Sequence, residues 1–407
     1  MRGHSERTFD FTLLFLVVLL TATGIILIYS ANHNHSSEWM RGIYKQQAVL
    51  ALAGFIIMYA VSMIPLGLFY RSAYLLYFLS LIPLLYLAFN NQGGDVDRWL
   101  IIGGRKIFQP SEFAKIGVML ALARSLAGRE ISLTNPSSMV FPGILAAVPF
   151  ILVLKQPDLG TALVFAAVIL PMFFWAGLTL REIIYLLTPL LSLITASNHI
   201  IWGIFFLLLI FILYRTEKNL VLAVGIALLN FFVGVITLAL WNNLKDYQKN
   251  RILSFINPNL DPYGAGYQVI QSKVALGSGE IWGKGFLNSS QARLNFLPAQ
   301  HTDFIFSVLG EQFGFVGCTA LILLFFVFLT KIITLTMEHN SRFVNLIITA
   351  VFAQLSFHII ENIAMTAGLM PVTGLPLPFI SYGGSFLITS LILIGLIINL
   401  KKTAINL

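Results

Sequence analysis

The 407-residue chain reads as an all-α, polytopic transmembrane helix bundle, on three grounds. Apolar residues make up 57% of it and charged residues only 10%, with a mean hydropathy of +0.85. A soluble domain has no use for so much apolar surface, whereas a stack of bilayer-crossing helices needs it. Apolar windows recur from end to end, and the polar residues between them fall in short, sharply bounded clusters. Residues 1–407 therefore form a single polytopic membrane domain rather than a string of soluble ones.

The windows lie near 11–31, 46–64, 72–90, 110–127, 139–154, 159–177, 182–196, 199–214, 219–240, 303–330, 343–367 and 385–400. The pair at 182–214 is short, with only Ser197-Asn198-His199 between its members, so the expectation is ten to twelve spans. Arg2 and Arg7 precede the first window, but that run is long for a cleaved signal and no good small-residue cleavage site follows it, so it is taken as a span. Basic residues set the orientation. With the N-terminus in the cytoplasm, cytoplasmic segments carry twelve Lys and Arg against six outside, once the long segment 241–302 is set aside. Both termini are then cytoplasmic. The net charge of +8 fits topology and contact with anionic lipids and gives no reason to invoke nucleic acid. Cys318, alone in an apolar run, reads as a buried inert thiol, and the seven histidines lack zinc-ligand spacing.

Segment 241–302 is too long and too patterned for a plain connector and reads as a large extracytoplasmic loop. PNLDPYGAG is turn chemistry. YQVIQSKVAL puts Gln268, Gln271 and Ser272 on one face and Val269, Ile270, Val274 and Leu276 on the others, the pattern of an amphipathic helix at the membrane interface. GSGEIWGKGFLNSS follows, with Trp282 and Lys284; Trp241 and Trp282 suit headgroup depth. The outer bases either serve an anion or pair with Asp95, Asp97, Asp246, Asp261 and Glu280.

Charges inside spans are costly and mark either function or a tight internal pair. Glu112 and Lys115 in QPSEFAKIGVML share a helix face at i, i+3, after Pro110 at a helix start. Asp158 in KQPDLGTA stands where an acid caps a helix. His358 and Glu361, again i, i+3, read as a packing pair. In PVTGLPLPFISYGGS, Ser381 and Ser385 flank the glycines that open the last helix, whose N–H groups either meet an anion or are simply capped. In QHTDFIF, Thr302 or Asp303 suits a helix N-cap; a carboxylate at the outer membrane edge beside a basic loop equally suits a general base.

DPYGAGYQVIQSKVALGSG and GKGFLNSSQARLNFLPAQHTDFIFSVLGEQFGFVG, together with RWL, QPSEFAK, QPDLGTA and PVTGLPLPFISYGGS in that order, resemble the RodA/FtsW (SEDS) family over most of the chain. The likeness is to the elongation branch more than the division branch. The resemblance implies a peptidoglycan glycosyltransferase of the cytoplasmic membrane, active on its outer face. It would polymerise lipid II into β-1,4 glycan strands and release undecaprenyl diphosphate. Asp303 matches the family's essential acid and would deprotonate the acceptor hydroxyl. Arg98, Arg251, Lys273 and Lys284 are the implied cations for the leaving diphosphate, and Glu112, Lys115 and Asp158 would line a polar cavity. Gln271, Gln291, His301, Thr302 and Ser381 complete the expected substrate-binding set. A class B penicillin-binding protein is the implied partner, beside membrane lipids. No cofactor motif is visible; a loosely held divalent cation on the diphosphate is compatible but not demanded. Two residues depart from the family pattern: Ala299 stands where Glu is frequent, and Phe386 where a second Ser is. An extra hairpin near 182–214 exceeds the family's usual ten spans. The competing readings are a lipid II flippase and a cell-wall scaffold.

Overall fold

The computed structural model describes residues 10–89, 98–102, 105–128, 130–133, 135–156, 158–196, 198–243, 266–289 and 297–402. Each of the twelve apolar windows becomes a helix: α1 (Phe11–Asn32), α2 (Glu38–Met63), α3 (Leu66–Phe89), α4 (Pro110–Ala127), α5 (Pro136–Lys155), α6 (Leu159–Trp175), α7 (Leu180–Thr195), α8 (His199–Thr216), α9 (Leu220–Asn243), α11 (Ile305–Thr334), α12 (Arg342–Thr366) and α13 (Gly384–Lys402). Between α9 and α11 lies α10 (Tyr267–Ser278). Among the described residues nine of these helices are long and apolar enough to cross a membrane. Of the other window helices, α6 and α7 are short, with 17 and 16 residues, and α4 carries Glu112, Lys115 and Arg124. A small antiparallel hairpin, β1 (Leu100–Ile102) and β2 (Arg105–Phe108), joins α3 to α4, and nothing in the apolar pattern announces it.

Burial ranks the helices. The span windows of α12 and α13 are 72% and 78% buried, against 11% for α8, so α12 and α13 form the centre and α8 the periphery. Around that centre α13 packs on α2, α12 on α6 and α4, and α3 on α4. Helices α7, α8 and α9 form a satellite with a small core of Tyr185, Leu209, Leu213 and Ile226. Polar bonds tie it together: Asn230 Nδ2 donates to Thr188 Oγ1, Ser192 Oγ to the Asn230 carbonyl and Trp202 Nε1 to Ser192 Oγ. The 182–214 hairpin thus packs with α9 as a three-helix unit. A capping box of Thr179 and Glu182 starts α7, and Glu182 Oε1 also accepts from Ser132 Oγ and Leu133 N, fastening the unit to the body.

Two stretches of non-helical backbone lie among the helices, and both matter for the site. The first breaks α11 at Gly314, where φ is 63° and ψ −159°. A break inside a membrane frees backbone groups that only protein can satisfy. Residues 280–285 do so: the N–H groups of Phe315 and Val316 donate to the carbonyls of Glu280 and Ile281, while those of Lys284 and Gly285 donate to Glu311 and Gln312. The second is 371–383. Gly24 of α1 lies against it so closely that a methyl group there would stand 2.4 Å from the Phe379 carbonyl oxygen. Gly24 is eight residues, about 12 Å along the helix, from the α1 end at Asn32, so this segment dips well below that end.

The opposite end of the bundle is clasped by charge. Asp10 caps α1 through the Leu13 N–H and lies 2.6 Å from Lys401 Nζ and 3.7 Å from Lys331 Nζ. Burial alone would raise the Asp10 carboxyl, but the hydrogen bonds from Lys401 and Leu13 and the charges of both lysines hold it below the usual carboxylate value.

The break in α11 predicts a sharp contrast between two glycines. Gly314→Ala forces a left-handed φ on a side chain, costing about 1–2 kcal/mol, and its Cβ would overlap Gly283 N and Ile281 O at 2.4 and 2.5 Å. Gly143→Ala, in α5 with open space around it, leaves stability within about 1 kcal/mol. Thermal unfolding in detergent should show a large fall in midpoint for the first and none for the second.

Candidate active site

Asp303 sits in a turn, not on a helix cap. The N-cap of α11 is Phe304, so neither Thr302 nor Asp303 takes the capping role that the sequence allowed. The turn closes on Ala299, whose carbonyl accepts the N–H groups of Thr302, Asp303 and Phe304. It is braced from outside by the dipping segment. Ser381 Oγ donates to the Thr302 carbonyl (2.6 Å) and accepts the Leu377 N–H, and the Tyr382 N–H donates to the His301 carbonyl (2.9 Å). From α12, Asn362 Nδ2 donates to the carbonyls of both Asp303 and Leu375, at 2.8 Å each. Gln47 of α2 holds the Ser381 carbonyl, and Gln300 Nε2 holds the Ala31 carbonyl at the end of α1. Two non-glycine residues, Ala299 and Phe379, take left-handed φ values of 52° and 64° in these stretches, strain that only a heavily bonded surround retains. The backbone of Asp303 is therefore fixed from three elements, and its half-buried side chain faces Gly374. A methyl group at Gly374 would come within 3.3 Å of Asp303 Oδ2, and φ there is +74°, so any other residue would crowd the carboxylate and strain the backbone.

The intramembrane charges assemble next to this turn. Lys115 Nζ lies 2.8 Å from Glu112 Oε1 and 3.5 Å from His358 Nε2, and Thr389 Oγ1 of α13 donates to Glu112 Oε2. Phe386 lies beneath the ammonium, 5.8 Å from ring centroid to Nζ, and packs on the His358 ring at 4.8 Å. A quadrupole face beside a buried cation is favourable, which gives the departure at Phe386 a physical role. The expected His358–Glu361 pair does not form. His358 turns to Lys115, while Glu361 Oε1 accepts from Thr373, because residues three apart on α12 meet different neighbours. Asp158 caps α6 as anticipated, accepting Thr161 N and Oγ1, and also takes Arg98 Nε at 3.6 Å and Gln109 Nε2 at 3.4 Å. The base of the β1–β2 hairpin is thus tied to α6, and Gln109 N donates to Ser385 Oγ at the start of α13. One turn into α6, Gly160 packs against Thr373 and Leu375. The segment 373–375 therefore links the Arg98–Asp158 pair, Glu361 and Asp303.

The other expected residues divide. His301 packs its ring 5.8 Å from Tyr382, and burial together with the nearby His35 holds its imidazole below the usual histidine value, which leaves it neutral. Lys273 is exposed on α10 and lies across Gly368, where an added methyl would meet its Cε and Nζ; Gln271 beside it is half-buried. The inward face of α10 buries Val269 and Ala275 as an apolar face would, but adds Ser272 from the expected polar one. Ser272 is buried, bonded to Ser307 Oγ and the Thr366 carbonyl, so the helix docks on α11 and α12 rather than only floating on lipid. Lys284 is bound to Glu311 at 2.7 Å, and Ser289 Oγ donates to the other oxygen of that fully buried carboxylate. Ser381 is occupied in bracing the turn. Arg251 and Gln291 lie outside the described residues, as do Asp95, Asp97, Asp246 and Asp261. Trp282 is exposed, and Cys318 is only half-buried, against the expectation of a buried thiol. Sequence reasoning missed Asn362, Thr373 and Gly374; the signal for the last two was their place inside PVTGLP, and for Asn362 its place next to Glu361 in an apolar run.

Comparison with known proteins places this geometry. A model of the FtsW/RodA/SpoVE family, described as cell cycle protein, matches residues 11–203 and 195–406. Peptidoglycan glycosyltransferase RodA of Treponema pallidum is 34% identical over 98% of this chain and 99% of its own length. Peptidoglycan glycosyltransferase MrdB of Escherichia coli is 31% identical over 96% of this chain and 93% of its own. A chain from a peptidoglycan synthase complex that coordinates polymerization and crosslinking aligns with a TM-score of 0.71 at 27% identity, covering 98% of this chain and 99% of that one. The rod shape determining protein RodA of Thermus thermophilus aligns at 0.64 and 25%, covering 98% of each chain. Matched over nearly its whole length, the chain belongs to the FtsW/RodA/SpoVE family of multi-pass membrane proteins.

Proposed function

We propose that this chain is a peptidoglycan glycosyltransferase of the elongation type, polymerising lipid II into β-1,4 glycan strands on the outer face of the cytoplasmic membrane. The observation that carries the mechanism is the Asp303 turn. Its backbone is held by Ala299, Ser381, Tyr382 and Asn362 while its half-buried carboxylate lies against Gly374. An acid whose main chain is locked and which is not the cap of the helix that follows is placed for chemistry.

Asp303 takes the proton of the acceptor sugar's 4-hydroxyl as that oxygen bonds to the anomeric carbon of the donor. The bond from that carbon to the diphosphate breaks, and its electron pair leaves on undecaprenyl diphosphate. Charge gathers on the leaving oxygen, and cations nearby stabilise it. Arg98 and the exposed Lys273 stand at the site's margins for this role, with Arg251 a further candidate. Lys284, bound to the buried Glu311, acts instead through the loop it fixes in the α11 break. The Glu112–Lys115–His358 cluster supplies a polar wall at the level where a lipid-linked headgroup enters from the side. Gln271, Gln291, His301 and Thr302 contribute polar contacts to the sugars. A class B penicillin-binding protein is the partner that would crosslink the strands, and the match to a chain of a peptidoglycan synthase complex supports it.

Asp303→Asn keeps the turn and removes the base, so polymerisation of purified lipid II should fall by about 10²–10⁴-fold with the melting temperature unchanged. Retention of the wild-type rate would end the assignment. Lys115→Met leaves Glu112 buried and unpaired, which should cost about 3–5 kcal/mol and lower the unfolding midpoint. Combining it with Glu112→Gln should recover much of that loss, measured as a double-mutant cycle.

A further inference from the structure

Glu361 is a buried acid that the reaction above does not use. It precedes Asn362, the residue that holds the Asp303 carbonyl, and is 1% exposed. Thr373 donates to its Oε1; its Oε2 is buried and has no hydrogen-bond partner. The carboxyl in electrostatic contact with it is Asp303. The geometry brackets one stretch of backbone between the two acids: the Thr373 hydroxyl binds Glu361, and Gly374, the next residue, faces Asp303 Oδ2.

The surroundings give Glu361 little reason to ionise. From α4 come Glu112 and Lys115, bound to each other and to His358 one turn away on α12 itself. From α6 comes Asp158, bound to Arg98. The α10 cation, Lys273, is exposed and lies across Gly368, and α13 offers at this level the hydroxyls of Ser385 and Thr389. An ionised carboxylate so buried needs a cation or several donors, and two neighbouring carboxyls do not readily both ionise. A proton on Oε2 removes both difficulties. It makes the group neutral and turns an unsatisfied acceptor into an O–H donor.

We propose that Glu361 is a positioning residue of this site: a protonated carboxyl whose O–H is directed at the Asp303 carboxylate and holds it charged and oriented toward the acceptor hydroxyl. This rests on the reading of Asp303 as the base. Glu361 keeps its proton throughout. Asp303 alone gains one in the transfer step and returns it to water when the product moves on.

The test compares full-length wild type, Glu361→Leu, Glu361→Gln and Asp303→Asn, reconstituted and assayed for lipid II polymerisation across pH. In Glu361→Leu the donor is lost. Its kcat should fall about ten-fold near neutral pH with KM little changed, and the acidic limb of its pH profile should move up by about one unit. Glu361→Gln keeps an N–H donor and should recover most of the rate and the wild-type profile. If Leu and Gln behave alike, or both keep the wild-type profile while Asp303→Asn is inactive, the positioning role falls and the base stands. If Asp303→Asn stays active, the base falls and Glu361 with it. Infrared spectroscopy of the wild type at neutral pH gives a reading that needs no stable Glu361 variant: a protonated carboxylic acid band that shifts in Thr373→Val is expected, and its absence overturns the proposal.

Discussion

Backbone that leaves the helix inside a bilayer must have each polar group satisfied by protein, and that requirement organises this molecule around residue 303. The segment 371–383 runs below the end of α1 with a single turn at 377–381, so most of its carbonyls and N–H groups look for side-chain partners. Asn362, Gln47, Ser381 and the His301 and Thr302 carbonyls answer them. The same bonds that make the dipping segment tolerable immobilise the Asp303 turn. Fold stability and site geometry are thus one set of interactions, which is why left-handed strain at Ala299 and Phe379 persists there.

The break in α11 obeys the same rule on the other flank. Gly314 interrupts the ladder, and residues 280–285 insert their own backbone to complete it. The Glu311–Lys284–Ser289 cluster then locks the insert with a fully buried carboxylate. The loop that the sequence marks as a catalytic surface is therefore, in this part, a splint. Its cation Lys284 is paired with that carboxylate.

What could be read beforehand follows from which signals are local. All twelve apolar windows form helices because apolar length is written residue by residue, and Asp158 caps α6 because a cap is settled within three residues. Asp303 was legible as a chemical candidate from its polar company. Its place outside the cap was not, because the helix start shifts to Phe304 only when the turn on Ala299 is braced by Ser381 from far along the chain. The His358–Glu361 pairing failed for a related reason. Spacing on one helix says which residues share a face, while α4 and the 373–375 segment decide which of them bond. The β1–β2 hairpin left no periodic signature in seven apolar and basic residues, and Ser272 turned inward because α10 has protein on that side.

The distribution of charge also separates catalysis from transport. A carrier that moves a charged headgroup across the bilayer needs polar groups that let go of one another at successive depths. Here Glu112, Lys115 and His358 are buried together, Asp158 is held by Thr161, Gln109 and Arg98, and on the opposite face Asp10 is closed by Lys331 and Lys401. Opening a path between those two faces would strip partners from several buried ions at once, each at a cost of several kcal/mol. The Asp303 turn, by contrast, is fixed through its backbone, and its half-buried carboxylate lies beside Gly374. A site whose buried charges are fixed and whose acid sits half-buried in a locked turn suits a reaction performed from one side of the membrane, with the glycan growing away from it.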